Sequence, residues 1–238
     1  MASAGRYPVA VRPAAAALVV ALAGCGVVTA VKKAVGSVQH NRAVISSFTS
    51  NLKSGPASFA ATYSTSGGSP ATIVYAARPP SDVAFRERST GASANSLDLI
   101  VNSSGEYTCY PPAAARAGHW ACQRLGTASA ATRNAIFGLY TPAHWAEYLR
   151  VFSLAAGLAG DKVTTSNLTL NGFRMSCIDF RAPGVPGTSR ICTAAQGILG
   201  YVRVASSATS FELRSYTTSP PGSLFRLPAG AKVTRVRR

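Results

Sequence analysis

The spacing of apolar positions changes three times along this chain. Between residues 27 and 53, Val28, Val31, Val35, Val38, Ile45, Phe48 and Leu52 recur at helical intervals, with Lys32, Lys33 and Arg42 among them. "SGPAS" at 54–58 ends this predicted helix. Strand character follows in "SFAATYSTS", "ATIVYAA", "DVAFRERS", "SLDLIVNS" and "EYTCY", rich in β-branched and aromatic residues and separated by Gly, Pro and Ser. Residues 128–160 return to helical character, with Thr141 as a cap before Pro142 and Trp145, Leu149, Phe152 and Ala156 as an apolar stripe. Strands resume at "LTLNGFRMSC", where Asn171-Gly172 predicts a two-residue type I′ hairpin because both central residues need positive φ. Leu168 and Leu170 then share a face with Phe173, Met175 and Cys177. "GILGYVRVAS" and "SFELRSYTTS" read as two further strands, and the sheet ends near "LFRLPAGAKV". Strand-rich, helical and strand-rich again, without an internal repeat, the pattern predicts one α+β domain.

The first residues follow another logic. Residues 1–12 carry Arg6 and Arg12 and no acid, and "PAAAALVVALAG" at 13–24 is uncharged, the layout of a secretory signal. Leu22-Ala23-Gly24-Cys25 resembles the bacterial lipobox. That resemblance implies cleavage between Gly24 and Cys25 and a diacylglycerol on the Cys25 thiol, with acyl chains of the palmitate kind as the membrane anchor. The uncharged stretch runs on to Val31, however, and its 19 residues also fit an uncleaved transmembrane anchor. Arg12 on one side and Lys32-Lys33 on the other leave the orientation of such a span open. Both readings place the body on the extracytoplasmic face of the cell membrane.

Composition sharpens this picture. The chain has 238 residues, enough to bury a sizeable core, and is 47% hydrophobic but only 13% charged. Its 24 Lys and Arg against 8 acids give a net charge of +16, which attracts polyanions such as anionic lipid or wall polymers. Nucleic acid is disfavoured, because an exported protein rarely meets it. The five cysteines divide into Cys25 and an even set, Cys109, Cys122, Cys177 and Cys192. Cys109 and Cys122 flank "YPPAAARAGHWA", and Cys177 and Cys192 flank "IDFRAPGVPGTSRI". Each pair lies almost equidistant from a Pro/Gly loop, as facing residues of a long-looped hairpin do. Four cysteines allow three connectivities, and this spacing favours 109–122 and 177–192 in an oxidising compartment. A metal site is the rival reading, but the paired spacing of zinc ligands is missing.

An N-terminal helix leading into "FAATY", "GIL" followed by a strand and "FELRSY", and the ending "LFRLPAGAKV" together resemble the LolA-like lipoprotein-localisation fold, which also occurs in lipid-binding lipoproteins. The likeness spans residues 27–234 as scattered short motifs. It implies a strongly curved antiparallel half-barrel sheet with helices covering its concave face, and an acyl chain held between the two layers. The expected division is a signal peptide at 1–24, the lipidated Cys25 and N-terminal helix at 25–55, the half-barrel at 56–234 and a basic tail at 235–238. No residue matches a ligand-contacting motif of the family, so its ligand-binding residues are not carried over.

Signals for catalysis are sparse. The chain contains no G-x-S-x-G, H-E-x-x-H or P-loop, and its histidines, His40, His119 and His144, are scattered. His144 and Glu147 stand at i, i+3, too few ligands for zinc. "SNLK" at 50–53 matches S-x-x-K of penicillin-recognising enzymes without the companion motifs. Phe59, Tyr63, Tyr75, Phe85 and Tyr107 are candidates to floor a cavity, with core packing as the default at strand positions. The expected protein is therefore not an enzyme and needs no cofactor or metal. It is a membrane-anchored lipoprotein that binds or carries an acylated ligand. The alternative is a structural or sensory module that binds a protein or an anionic polymer.

Overall fold

A computed structural model describes residue 33 and residues 35–50, 55–67, 70–89, 96–112, 119–126, 149–150, 161–181, 185–207 and 209–235. Helix α1 covers 35–50. Twelve strands follow in chain order: β1 (Phe59–Ser66), β2 (Ala71–Arg78), β3 (Asp82–Ser89), β4 (Leu97–Asn102), β5 (Gly105–Tyr110), β6 (Ala121–Gly126), β7 (Thr164–Leu170), β8 (Phe173–Phe180), β9 (Ser189–Ala194), β10 (Leu199–Arg203), β11 (Ser210–Thr217) and β12 (Lys232–Arg235). They form one sheet in the order β12-β6-β5-β4-β3-β2-β1-β11-β10-β9-β8-β7. Every pair is antiparallel except β12 with β6.

The expected fold class needs correction. A sheet with helices covering its concave face is replaced by one twelve-stranded sheet that does not close, since β12 and β7 are its two ends, with one full helix, α1, among the described residues. Two physical reasons stand out. The inward face of α1 is Ser37, Asn41, Ile45 and Phe48, so only its second half offers apolar cover. Val35, placed on the inward stripe by spacing, is half exposed. On the face that carries Ala60, Ala76 and Ala84, the cover comes from an extended segment carrying Pro220, Pro221 and Pro228, a composition that resists helix formation. The second predicted helical region, 128–160, lies almost wholly outside the described residues; Leu149 and Arg150 are helical.

Alternation along the strands gives each face its own core. Ala61, Tyr63, Ile73, Tyr75, Phe85 and Val101 of β1–β4 join Leu213 of β11 and Met175, Cys177, Cys192 and Ala194 of β8 and β9 in the largest cluster. Ile178, Phe180, Ile191, Leu199 and Val202 take Ile45 and Phe48 of α1, with Leu149 and Val163. The aromatic residues proposed as a cavity floor are thus core: Tyr63 and Tyr75 are fully buried, and Phe59 packs against their cluster. Tyr107 belongs to a separate cluster with Ile100 and the Cys109–Cys122 pair.

Register explains the cysteines and the last segment. Cys109 faces Cys122, and Cys177 faces Cys192, across neighbouring antiparallel strands, and both pairs are disulfide-bonded. Between β7 and β8, Asn171 (φ 52°) and Gly172 (φ 82°) make the two-residue turn that Asn-Gly favours. After β11 the chain crosses the sheet. Its 3-10 turn, Gly222–Phe225, drops the Phe225 ring onto Ala60, Ala76 and Ala84, a row of cross-strand neighbours whose small side chains leave a trough. Arg86 Nη2 donates to the carbonyls of Ser223, Leu224 and Arg226 at 3.0–3.2 Å. Asn102 donates to Phe225 O at 2.8 Å. The segment then reaches the sheet's edge as β12.

Candidate functional site

At the other end of the sheet, α1 is fastened to the chain just before β7. Asn41 is buried, and its side-chain amide donates to Asp161 O at 3.1 Å while its Oδ1 accepts the Val163 N–H at 2.8 Å. His40 Nε2 donates to Val163 O at 3.0 Å. These bonds set the distance between α1 and the sheet, and an open groove remains beside them. Its volume is about 490 Å3, with Ala43, Val44, Ser47 and Phe48 on the α1 side and Thr165, Ser166, Asn167, Ser176 and Cys177 on the strand side. A second groove, about 640 Å3, shares Asn167 and Ser176 and continues over Leu168, Thr169, Arg174 and Met175 to Thr193–Ala195.

The walls combine apolar carbon with hydroxyl and amide groups. Such a surface can bind through van der Waals contact and hydrogen bonds. Nearby charge is mostly positive. Lys162, Arg174 and Arg181 are exposed around β7 and β8. Asp179 is taken up by Arg190, which donates to both its oxygens at 2.6 and 3.2 Å, and by Ser166 Oγ at 2.6 Å. Hydrogen bonding to Asp179 raises the Arg190 guanidinium pKa above its ordinary value.

The residues singled out by sequence do not converge here. Cys25 and Gly24 lie outside the described residues, as do His144, Glu147 and Lys53. His40 is an anchor for the backbone at Val163, and His119 is exposed beside Gly230 near the far edge of the sheet. Ser50 of α1 donates to Ser47 O at 2.7 Å. Among the described residues no three His, Cys, Asp or Glu side chains gather to hold a metal, and no helix is long and apolar enough to cross a membrane. What sequence reading missed is the groove, together with Asn41, whose signal was a polar residue four positions before Ile45 on the inward side of α1.

No protein-family model matches the chain, and no curated protein does. Among solved structures, the crystal structure of MucB in complex with MucA(peri) matches at a TM-score of 0.44 with 11% identity, over 80% of this chain and 62% of that one. The crystal structure of MucB alone matches at 0.44 with 13% identity, over 79% of this chain and 64% of that one. This chain therefore spans less than two thirds of either MucB chain.

Proposed function

We propose that this chain is a non-enzymatic, extracytoplasmic binding module, tethered to the cell membrane through its N-terminal segment, that holds a segment of another protein in the groove between α1 and β7–β8. The observation that carries the reading is the groove itself: it lies open, and its walls mix Val44 and Phe48 with Thr165, Asn167 and Ser176. Peptide groups need hydrogen-bonding partners and side chains need apolar contact, and this surface offers both. Two disulfides between facing strands support an oxidising compartment. The lipobox-like Cys25 supports a lipid anchor, with the uncleaved span as its rival. A second reading, an acylated ligand, is favoured by Leu168, Met175 and Ala194 in the wall of the second groove.

A photo-crosslinking amino acid placed at Ser47, in cells expressing the full chain, distinguishes the two. Polypeptide adducts are expected there, and the same probe at the exposed Ser207 serves as the control. Lipid adducts alone at Ser47 support the acylated ligand and overturn the protein reading. So does labelling equal to that at Ser207.

A further inference from the structure

The groove is bounded by a strand edge, and the hydrogen bonds of α1 reveal which way that edge points. Asn41 takes the Val163 N–H and the Asp161 carbonyl, and His40 takes the Val163 carbonyl. A side-chain amide bound to the carbonyl of one residue and the N–H two residues later does what a residue of a parallel neighbouring strand would do. The backbone groups of residue 163 therefore point away from β8. Strand period is two, and the β7–β8 register runs without a bulge from Thr164↔Asp179 to Leu170↔Phe173. The N–H and C=O of Thr165, Asn167 and Thr169 accordingly point outward as well. Among the described residues nothing pairs with them, and β7 ends the sheet.

We infer that β7 is an acceptor edge: an extended segment of a partner polypeptide pairs with Thr165, Asn167 and Thr169 as a thirteenth strand, its alternate side chains entering the groove beside Val44 and Phe48 of α1. The inference rests on the reading of this groove as a protein-binding site and specifies how the segment binds. Three features of the edge fit strand addition. It has seven residues and no charge, "TTSNLTL", whereas natural edges are usually blunted with Lys, Pro or a bulge. The opposite edge, β12, is so protected, being four residues long with Lys232 and Arg235 exposed. Asn41 and His40 stop the pairing at residue 163, which defines one end of the site.

Charge selects the occupant. Lys162 precedes the edge, Arg174 and Arg181 stand at the two ends of β8, and Arg42 is exposed on α1. Among the described residues Asp161 is the one acid at the edge left to oppose them, Asp179 being held by Arg190. A second copy of a chain of net charge +16 is repelled, so self-pairing of β7 is disfavoured. An extended segment with apolar residues at alternate positions and acidic residues at its ends is complementary to both groove and surroundings.

The test uses the detergent-extracted full chain and a labelled, end-blocked peptide of alternating Val and Thr flanked by Asp and Glu. Binding is read by fluorescence anisotropy. Two twins are compared, one N-methylated at alternate amides and one flanked by Lys. Both are expected to bind about tenfold weaker or worse, because lost backbone bonds and reversed flanking charge each remove affinity. Asn167→Pro removes an outward N–H and leaves the ladder to β8 intact, so binding is expected to fall by a similar factor while the far-UV spectrum is kept. Equal binding of the N-methylated twin, or no binding of the acidic peptide, overturns the proposal. So does a concentration-dependent dimer that the peptide does not dissociate, which would assign the edge to a second copy. Polypeptide crosslinks at Ser47 together with an indifferent N-methylated twin would keep the protein site and reject strand addition. Absence of polypeptide crosslinks would remove the site itself.

Discussion

Asn41 shows how one polar side chain takes over a position that helical spacing reserves for an apolar one. It is fully buried, and its amide satisfies one donor and one acceptor of the backbone at 161–163. Removing it strands the Val163 N–H, which the protein interior cannot solvate. Asn41→Ala is expected to destabilise the protein by about 2–3 kcal/mol, seen as a lower urea midpoint with an unchanged slope. Asn41→Asp gives no rescue, because its carboxylate accepts from Val163 but repels the Asp161 carbonyl. Residues of this kind limit what a sequence reveals. An Asn at helical spacing reads as solvent-facing, and only its contact with a segment 120 residues away shows otherwise. Asp98 is the same case on a strand. Alternation gives it a polar neighbourhood, yet it is buried, 2.5 Å from Arg88 Nη1 and 3.7 Å from Arg86 Nη1. Both arginines come from β3, its immediate neighbour; Arg86 also holds carbonyls of the segment that crosses above it, and Arg88 lies over the Trp120 ring.

That crossing segment is the clearest lesson at the level of elements. Strands β1–β5 and the β7–β8 hairpin are legible because their signals are local: alternation, turn residues and facing cysteines. The route of 218–235 is set by contacts with β1–β4 and β6, made far along the chain, and nothing local encodes it. Phe225 in the alanine trough and Arg86 on three carbonyls hold it in place. Arg78 adds its guanidinium 4.6 Å from the Phe225 ring centre. Phe225→Ala is expected to cost about 3–5 kcal/mol by leaving the trough empty. Hydrogen exchange would show the loss concentrated in β12 and β6, whose pairing depends on this segment, with β8–β9 less affected. Loss spread evenly over all strands would mean that the segment is no separate unit. Conversely, Ala76→Leu overfills the trough and is expected to weaken the same contacts by about 1–3 kcal/mol.

At the scale of the whole molecule, charge is the dominant surface property. Acids are few, and Asp82, Asp98, Asp179 and Glu212 are each paired with an arginine, so the surface field is set by unpaired cations. A basic surface meets acidic partners more often than a neutral one, and that gain weakens with added salt. The proposed tether, through Cys25 or through the longer apolar stretch, is tested by intact mass. Lipidation predicts loss of residues 1–24 and addition of diacylglycerol, while Cys25→Ser keeps the full leader. A wild-type mass equal to the complete chain would assign anchorage to residues 13–31 instead.

The order of the strands has a temporal meaning. β1 lies between β2 and β11, so Ala60 meets Ala76 early and Thr217 only when almost all of the chain has been made. β6 likewise waits for Lys232–Arg235 at the very end. A chain delivered from its N-terminus therefore spends most of its emergence with the β1 edge open and the alanine trough uncovered. The two pairings that close long loops, β1 with β11 and β6 with β12, therefore form after the local hairpins of β1–β5. Until then the edges of β1 and β6 stay unpaired, and that interval is when this sheet is most open to mispairing.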